Sequence, residues 1–262
     1  MIFHSFLLVD AGNTRVKWAV VPRAVPYAEQ VFPSSLAFLS KGEMLTSDAT
    51  PERIRELKKN FAGCYLILAS VVPKLTAEFC RTFKRGFHLV TADSTTLGFR
   101  FDYPHPEEIG ADRLAAAAAV HQAAKWPVII VNCGTATAFS VLDAKGRFCG
   151  GAIAPGLKTQ LAALVGATAQ LPDTKLSQPR TALAKSTQEA IRAGVMLNFQ
   201  GGINEILRQL SAALKTKRPR IVLTGGYAEH LADSLELPYA LRPLLVFEGL
   251  RIIGNRVWDA MD

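Results

Sequence analysis

Apolar positions along this chain follow two rhythms. Short apolar runs, closed by glycine, proline or a charge, predict strands at SFLLVD (5–10), RVKWAVV (15–21), YLILASV (65–71), FHLVT (87–91), PVIIVN (127–132), AFSVLD (138–143), GAIA (151–154) and RIVLTG (220–225). Longer stretches predict helices at PERIRELKKN (51–60), LAAAAAVHQAAK (114–125), 187–215 and YAEHLADSLE (227–236). Pro51 suits a first helical turn, and Gly42 punctuates a less regular segment before it. Strands and helices mixed in this order imply layered α/β packing.

One comparison organises the whole. VDAGNTRVKWAV (9–20) lies over VNCGTATAFSVL (131–142), so that Val9 meets Val131, Asp10 meets Asn132 and Gly12 meets Gly134. Each copy reads strand, small-residue turn, strand. The expected organisation is two similar halves, 1–125 and 126–262, each giving one glycine turn to a shared cleft.

Composition narrows the class. With 262 residues, 49% of them apolar, the chain can bury a large core. No stretch approaches the roughly 18 consecutive apolar residues of a membrane span. The start MIFHSFLLVD lacks the basic region and cleavage pattern of a signal peptide. Cys64, Cys80, Cys133 and Cys149 form no CxxC pair, which suggests buried or half-buried thiols in a reducing cytoplasm. The net charge of +8 raises nucleic acid as a partner. Its densest cluster, KTKRPR (215–220), also reads as a solvated connection from helix to strand, and no zinc-finger spacing or aromatic-studded strand accompanies it.

The chemistry collects at glycine turns. Neither a GxxxxGK[ST] loop nor a GxGxxG after the first strand is present. In DAGNT, Gly12 lets backbone N–H groups approach phosphate oxygens, and Asn13 and Thr14 add donors. Asp10 repels phosphate, so beside it the fitting task is holding Mg²⁺ or its waters, while Lys17 balances charge on the transferring group. An ordinary hairpin turn also uses Asp and Gly. A second turn, with Thr135 and Thr137, and a third at LTGGYAEHL favour a nucleotide held by both halves; there Gly225 and Gly226 permit close approach of adenine or ribose.

Near the middle of the chain, Pro104 and Pro106 enforce extended backbone before GADR opens the Ala-rich helix. Asp112 there can accept a hydroxyl proton or cap the helix, and Arg113 can bind a carboxylate or face solvent. Tyr103 lines an entrance or closes a turn. GAIAPGL lines an acceptor pocket or is a plain turn. Ser186, Thr187 and Glu189 read as helix-start chemistry, and lone His105 and His121 suggest no metal site.

Together DAGNTRVK (10–17), GADR (110–113), NCGTATA (132–138), GGAIAPGL (150–157), STQEAIRAG (186–194) and LTGG (223–226) resemble the type III pantothenate kinases, of the actin/sugar kinase/Hsp70 superfamily. The resemblance implies two mixed-sheet lobes of actin-like (ribonuclease H-like) type enclosing a nucleotide cleft. It implies ATP-dependent phosphorylation of the primary hydroxyl of pantothenate, the first step of coenzyme A synthesis. On this pattern the first phosphate motif falls on Asp10, Ala11, Gly12, Asn13, Thr14, Arg15, Val16 and Lys17, and the second on Thr135. The base falls on Asp112, within a pantothenate-binding stretch of Gly110, Ala111, Asp112 and Arg113, with Tyr103 and Thr187 as further substrate residues. The resemblance also implies Mg²⁺, a homodimer, and potassium or ammonium as a monovalent cation.

Two positions depart from the pattern. The aspartate that begins the second motif, a monovalent-cation ligand, is Asn132, and the residue after Ala138 is Phe139. Asparagine keeps a carbonyl ligand and loses the charge, which puts cation dependence in question. The family also includes an accessory factor for virulence-gene expression, so the alternative is a catalytically weak regulatory relative.

Overall fold

The computed structural model describes residues 3–23, 38–123, 126–168 and 171–261. The chain divides into two units, one of Met1–Ala124, Gly146–Phe148 and Leu244–Asp262, the other of Lys125–Lys145 and Cys149–Pro243. The sequence reading put everything after residue 125 into the second half. In the structure the last helix and a three-residue segment group with the first unit instead.

In the first unit, β1 (Ser5–Ala11), β2 (Arg15–Pro22), β3 (Ser40–Leu45), β4 (Cys64–Ser70) and β5 (Phe87–Leu89) form a sheet in the order β3-β2-β1-β4-β5. β1 runs antiparallel to β2 and parallel to β4. Strand alternation then sorts the side chains. Leu7, Val9 and Ala11 face a core that includes Ile54 and Leu57 of α1 (Pro51–Asn60) and Leu75, Phe79 and Phe83 of α2 (Pro73–Phe83). Phe6, Leu8 and Asp10 therefore face the opposite side. Because both faces are covered, β1 reads as a continuous apolar run. After the single-turn α3 (Ser94–Leu97), the opposite side is built by α4 (Ala111–Ala123). Ala124 and Lys125, the last residues of that expected helix, lie outside the described residues.

In the second unit, β6 (Val128–Cys133), β7 (Ala136–Leu142), β8 (Phe148–Pro155), β9 (Arg220–Thr224) and β10 (Tyr239–Leu241) form a sheet in the order β10-β9-β6-β7-β8. β6 runs antiparallel to β7 and parallel to β9. The central motif of the first sheet is thus repeated, and each unit is an α/β lobe built on a five-stranded mixed sheet. Ile129, Val131 and Cys133 pack on Leu157 and Leu161 of α5 (Leu157–Gly166) and on Ile191, Phe199 and Ile203 of α6 (Thr187–Ala213).

The chain closes with α7 (Leu245–Asp259), which packs on α4 in the first unit. A β-carbon on Gly249 would lie 1.8 Å from the Ala115 carbonyl oxygen. The Ala run of α4 and Gly249 of α7 are therefore one feature, a close helix crossing.

Several expectations need correction. The irregular segment around Gly42 is β3, where Gly42 makes room for the Trp18 ring. The helix expected at 227–236 shortens to one 3₁₀ turn, Ala228–Leu231, because the chain must first turn at Gly225 (φ +93°) and soon reaches Pro238. Its N-terminus is too short to carry an anion-binding dipole. All four cysteines are free, with Cys133 buried, so that its thiol is pushed up to about 12. No helix among the described residues is long and apolar enough to cross a membrane.

Candidate active site

The β1–β2 turn is tightly braced. Gly12 N–H donates to the Arg15 carbonyl (3.0 Å), Thr46 N–H donates to the Thr14 carbonyl (3.0 Å), and the Thr46 hydroxyl donates to the Gly12 carbonyl (2.6 Å). A β-carbon at Gly12 would stand 3.3 Å from the Arg15 oxygen, so the turn favours glycine. Asn13 and Thr14 are exposed at its tip. Arg15 is held by Glu43 at 2.6 Å. The side chains of Ala11 and Val16 are buried in the core, which leaves only their backbones to meet a ligand.

Asp10 and Lys17 are directly opposite in the β1–β2 register, on the face that α4 covers. α4 starts at Gly110, whose carbonyl accepts from Arg113 N–H (3.0 Å) and Leu114 N–H (3.1 Å). A β-carbon on Gly110 would meet the Asp112 Oδ1 at 2.8 Å, so glycine here gives the carboxylate its room. Strand alternation and the helix start thus bring Asp10 and Asp112 into mutual electrostatic range. Burial pushes the Asp10 carboxyl up to about 7; Asp112 pushes it the same way and Lys17 opposes both. Burial also raises the Asp112 carboxyl, against the Arg113 N–H, the Arg113 guanidinium and its own N–H. Burial lowers the Arg113 guanidinium, opposed by Asp112 and Tyr103.

One contributor was missed by sequence reasoning. The Phe148 ring sits under the Arg113 guanidinium at 5.6 Å and against the edge of Tyr103 at 6.2 Å. No local motif marks it, because it reaches this cluster as the first residue of β8. Its backbone pairs with the stretch before GADR: Phe148 N–H donates to the Arg100 carbonyl (2.9 Å), and Asp102 N–H donates to the Phe148 carbonyl (2.8 Å).

The second unit gathers its own glycine segments. Gly134 N–H donates to the Ala136 carbonyl (3.0 Å), one residue tighter than the first turn. The Thr135 carbonyl accepts from Gly156 N–H (3.0 Å) and the Thr159 hydroxyl (2.6 Å). A β-carbon on Gly156 would lie 2.2 Å from the Gly134 oxygen, and one on Gly225 would lie 2.7 Å from the Asn132 Oδ1. Asn132, Thr135, Gly156 and Gly225 therefore form one cluster, with Gly226 exposed beside it. In GAIAPGL, Gly156 braces this turn, while Ile153 is exposed. Asn132 pairs with Ala138, and Phe139 points to the opposite, core face. Thr137 is also buried on the core side, and its hydroxyl has no hydrogen-bond partner among the described residues. Thr187 is exposed as the first residue of α6, after the Ser186 cap that accepts from Glu189 N–H (3.3 Å).

The donors present suit a cation that arrives with a nucleotide. Asp10 and Asp112 place two carboxylates together with burial working against their charge, an excess of negative potential that a divalent ion offsets. No cluster of three or more His, Cys, Asp or Glu among the described residues forms a cage for a metal. One carboxylate completed by phosphate oxygens and water is a coordination that Mg²⁺ accepts.

Comparison with known proteins gives this geometry a family. The family model described as type III pantothenate kinase matches residues 6–209. A type III pantothenate kinase of Akkermansia muciniphila is 34% identical over 252 residues, covering 96% of this chain and 98% of its own. One from Rhodospirillum rubrum is 37% identical over 194 residues, covering 72% and 75%. Among solved structures, a conserved Baf family protein from Campylobacter jejuni, described as a transcriptional activator, aligns at a TM-score of 0.63 and 18% identity over 97% of this chain and 100% of that one. The ethanolamine utilization protein EutJ from Carboxydothermus hydrogenoformans aligns at 0.54 and 14%, covering 97% and 91%. At those identities the two structures show a shared fold alone. The chain belongs to the type III pantothenate kinase family.

Proposed function

We infer that this protein transfers the terminal phosphoryl group of ATP to the primary hydroxyl of pantothenate, giving 4′-phosphopantothenate and ADP at the first step of coenzyme A synthesis. Family membership supports the substrate and the reaction. The observation that carries the site is the convergence of Asp10, Lys17, Asp112 and Arg113 on one face of the first unit.

The geometry supports the following assignment of roles. The acceptor oxygen attacks the γ-phosphorus as the bond to the β-phosphate oxygen breaks, and the Asp112 carboxylate takes the hydroxyl proton. Its raised affinity for a proton suits a base. Arg113 and Tyr103, with the backbone of Gly110 and Ala111, receive the carboxylate end of the acceptor. The turn 10–17 offers backbone N–H groups to phosphate, and Lys17 offsets charge on the transferring group. Asp10 would hold Mg²⁺, which supplies charge neutralisation on the phosphates. Thr135, Gly225 and Gly226 are proposed nucleotide contacts, and Thr187 a substrate contact.

Three finer features belong to the same reading: a cytoplasmic location, a homodimer, and a monovalent cation at Asn132. With a neutral amide there, the cation is held by a carbonyl alone and weakly. Asn132→Asp is expected to lower the potassium concentration giving half-maximal activity, at fixed ionic strength with choline as replacement. Superimposable titration curves would remove residue 132 from cation binding.

The direct test of the reaction is acceptor-dependent ADP release with Mg-ATP, run with pantothenate and with related hydroxy acids. Release that pantothenate does not stimulate would reject it.

A further inference from the structure

Phe148 stands out because its position is over-determined. Its ring is fully buried, at 0% exposure. Its backbone is bonded on both sides to the 100–102 stretch, and the adjacent Arg147 pairs with Asp102 at 2.8 Å. Phe99 stacks on the ring at 6.4 Å, Phe101 lies at 6.3 Å, and Tyr103 meets it edge-on. Gly146–Phe148 groups with the first unit although the chain on both sides of it belongs to the second.

A guanidinium that burial disfavours, on a long flexible stem, needs a fixed resting place if it is to meet a carboxylate in one geometry. An aromatic face within about 6 Å supplies one without competing for its N–H donors. Hydrogen-bonding residues at the same place would occupy the fork that a carboxylate requires. The Phe148 ring holds Arg113 over its face and Tyr103 at its side.

We propose that Phe148 is a positioning residue for acceptor recognition, holding Arg113 and Tyr103 so that the guanidinium fork is presented to the acceptor's carboxylate. The proposal rests on the reading of Arg113 as the carboxylate-binding group. It acts chiefly on the anionic end of the acceptor, the guanidinium's influence on Asp112 being common to charged and neutral acceptors.

The test compares pantothenate with its neutral analogue in which the carboxylate is reduced to an alcohol. Phe148→Leu keeps apolar bulk and removes the ring. It is expected to raise KM for pantothenate by roughly three- to tenfold, with KM for ATP and for the neutral analogue unchanged. In an Arg113→Met background the same substitution should add nothing, since coupled residues fail to add. Phe148→Tyr, which keeps the ring face, should restore the pantothenate KM. If Phe148→Leu does not fold, Phe148→Met carries the same comparison. Equal losses with both acceptors, or full additivity with Arg113→Met, overturn the proposal and leave a packing role.

A readout independent of turnover separates this from the functional reading. Modification of Arg113 by phenylglyoxal, followed by peptide mass spectrometry, should run faster in Phe148→Leu than in the parent. An unchanged rate overturns the positioning role even if pantothenate is the substrate. An accelerated rate in a protein that does not phosphorylate pantothenate rejects the substrate and keeps the contact.

Discussion

At Asp112 two demands meet on the proposed reading: α4 needs an acceptor for its free N–H groups, and phosphoryl transfer needs a base. Asp112→Asn keeps an oxygen for the helix start and loses the basic site. Turnover should fall by roughly 10²–10⁴-fold while the protein stays folded; near-normal turnover in steady-state assays would leave only the capping role. Asp10 makes a complementary prediction about stability. Its carboxyl is held near 7 when folded, against 3.8 for the free group, so across that window the folded state binds more proton than the unfolded. Stability is therefore lost as pH rises through the window, and the cost is fully present above it. Asp10→Asn removes this cost, so without ligand it should be more stable than the parent above pH 7 by about 2 kcal/mol, allowing for partial solvent access. Below pH 3.8 the gain should vanish. Urea unfolding at several pH values checks this, and the same variant should lose Mg-ATP-dependent activity.

Elements were legible where one local rule dominated. The β1–β2 hairpin announced itself by DAGNT between apolar runs, and α6 by its long apolar periodicity and Ser186 cap. β3 was missed because Ser40–Leu45 alternates too weakly and carries a glycine, needed under Trp18. α2 had a usable signal in Pro73 followed by Leu75, Phe79 and Phe83 at helical spacing. α7 was obscured by Gly249 and Gly254, residues of poor helix propensity that tertiary packing requires. That packing makes Gly249→Ala a test of the α4–α7 crossing. The added methyl collides with the Ala115 backbone, which cannot rotate away. A cost of about 1–3 kcal/mol is expected. Gly201→Ala in α6, which has open space around it, should instead stabilise by about 0.5–1 kcal/mol. Thermal unfolding of the two variants should move in opposite directions, and parallel shifts would refute the crossing.

At the scale of the molecule, the overlay of 9–20 on 131–142 identified the central hairpin of each unit, and the two sheets repeat the same order around it. What no overlay could show is chain exchange: Leu244–Asp262 and Gly146–Phe148 complete the first unit from distant sequence. Long-range returns of this kind leave no periodic signal, and with them Phe148 stayed hidden, while short motifs offered Asp10, Asp112 and Arg113 as candidates. The central claim joins these levels: family membership supplies pantothenate and the first unit supplies the charged constellation that handles its hydroxyl. It is tested most directly by mass spectrometry of the acceptor after incubation with the purified protein and Mg-ATP, with potassium and ammonium varied. The account predicts 4′-phosphopantothenate formed in step with ADP by the parent protein, and almost none by Asp112→Asn. Pantothenate recovered unmodified by the folded parent under every cation condition would contradict it.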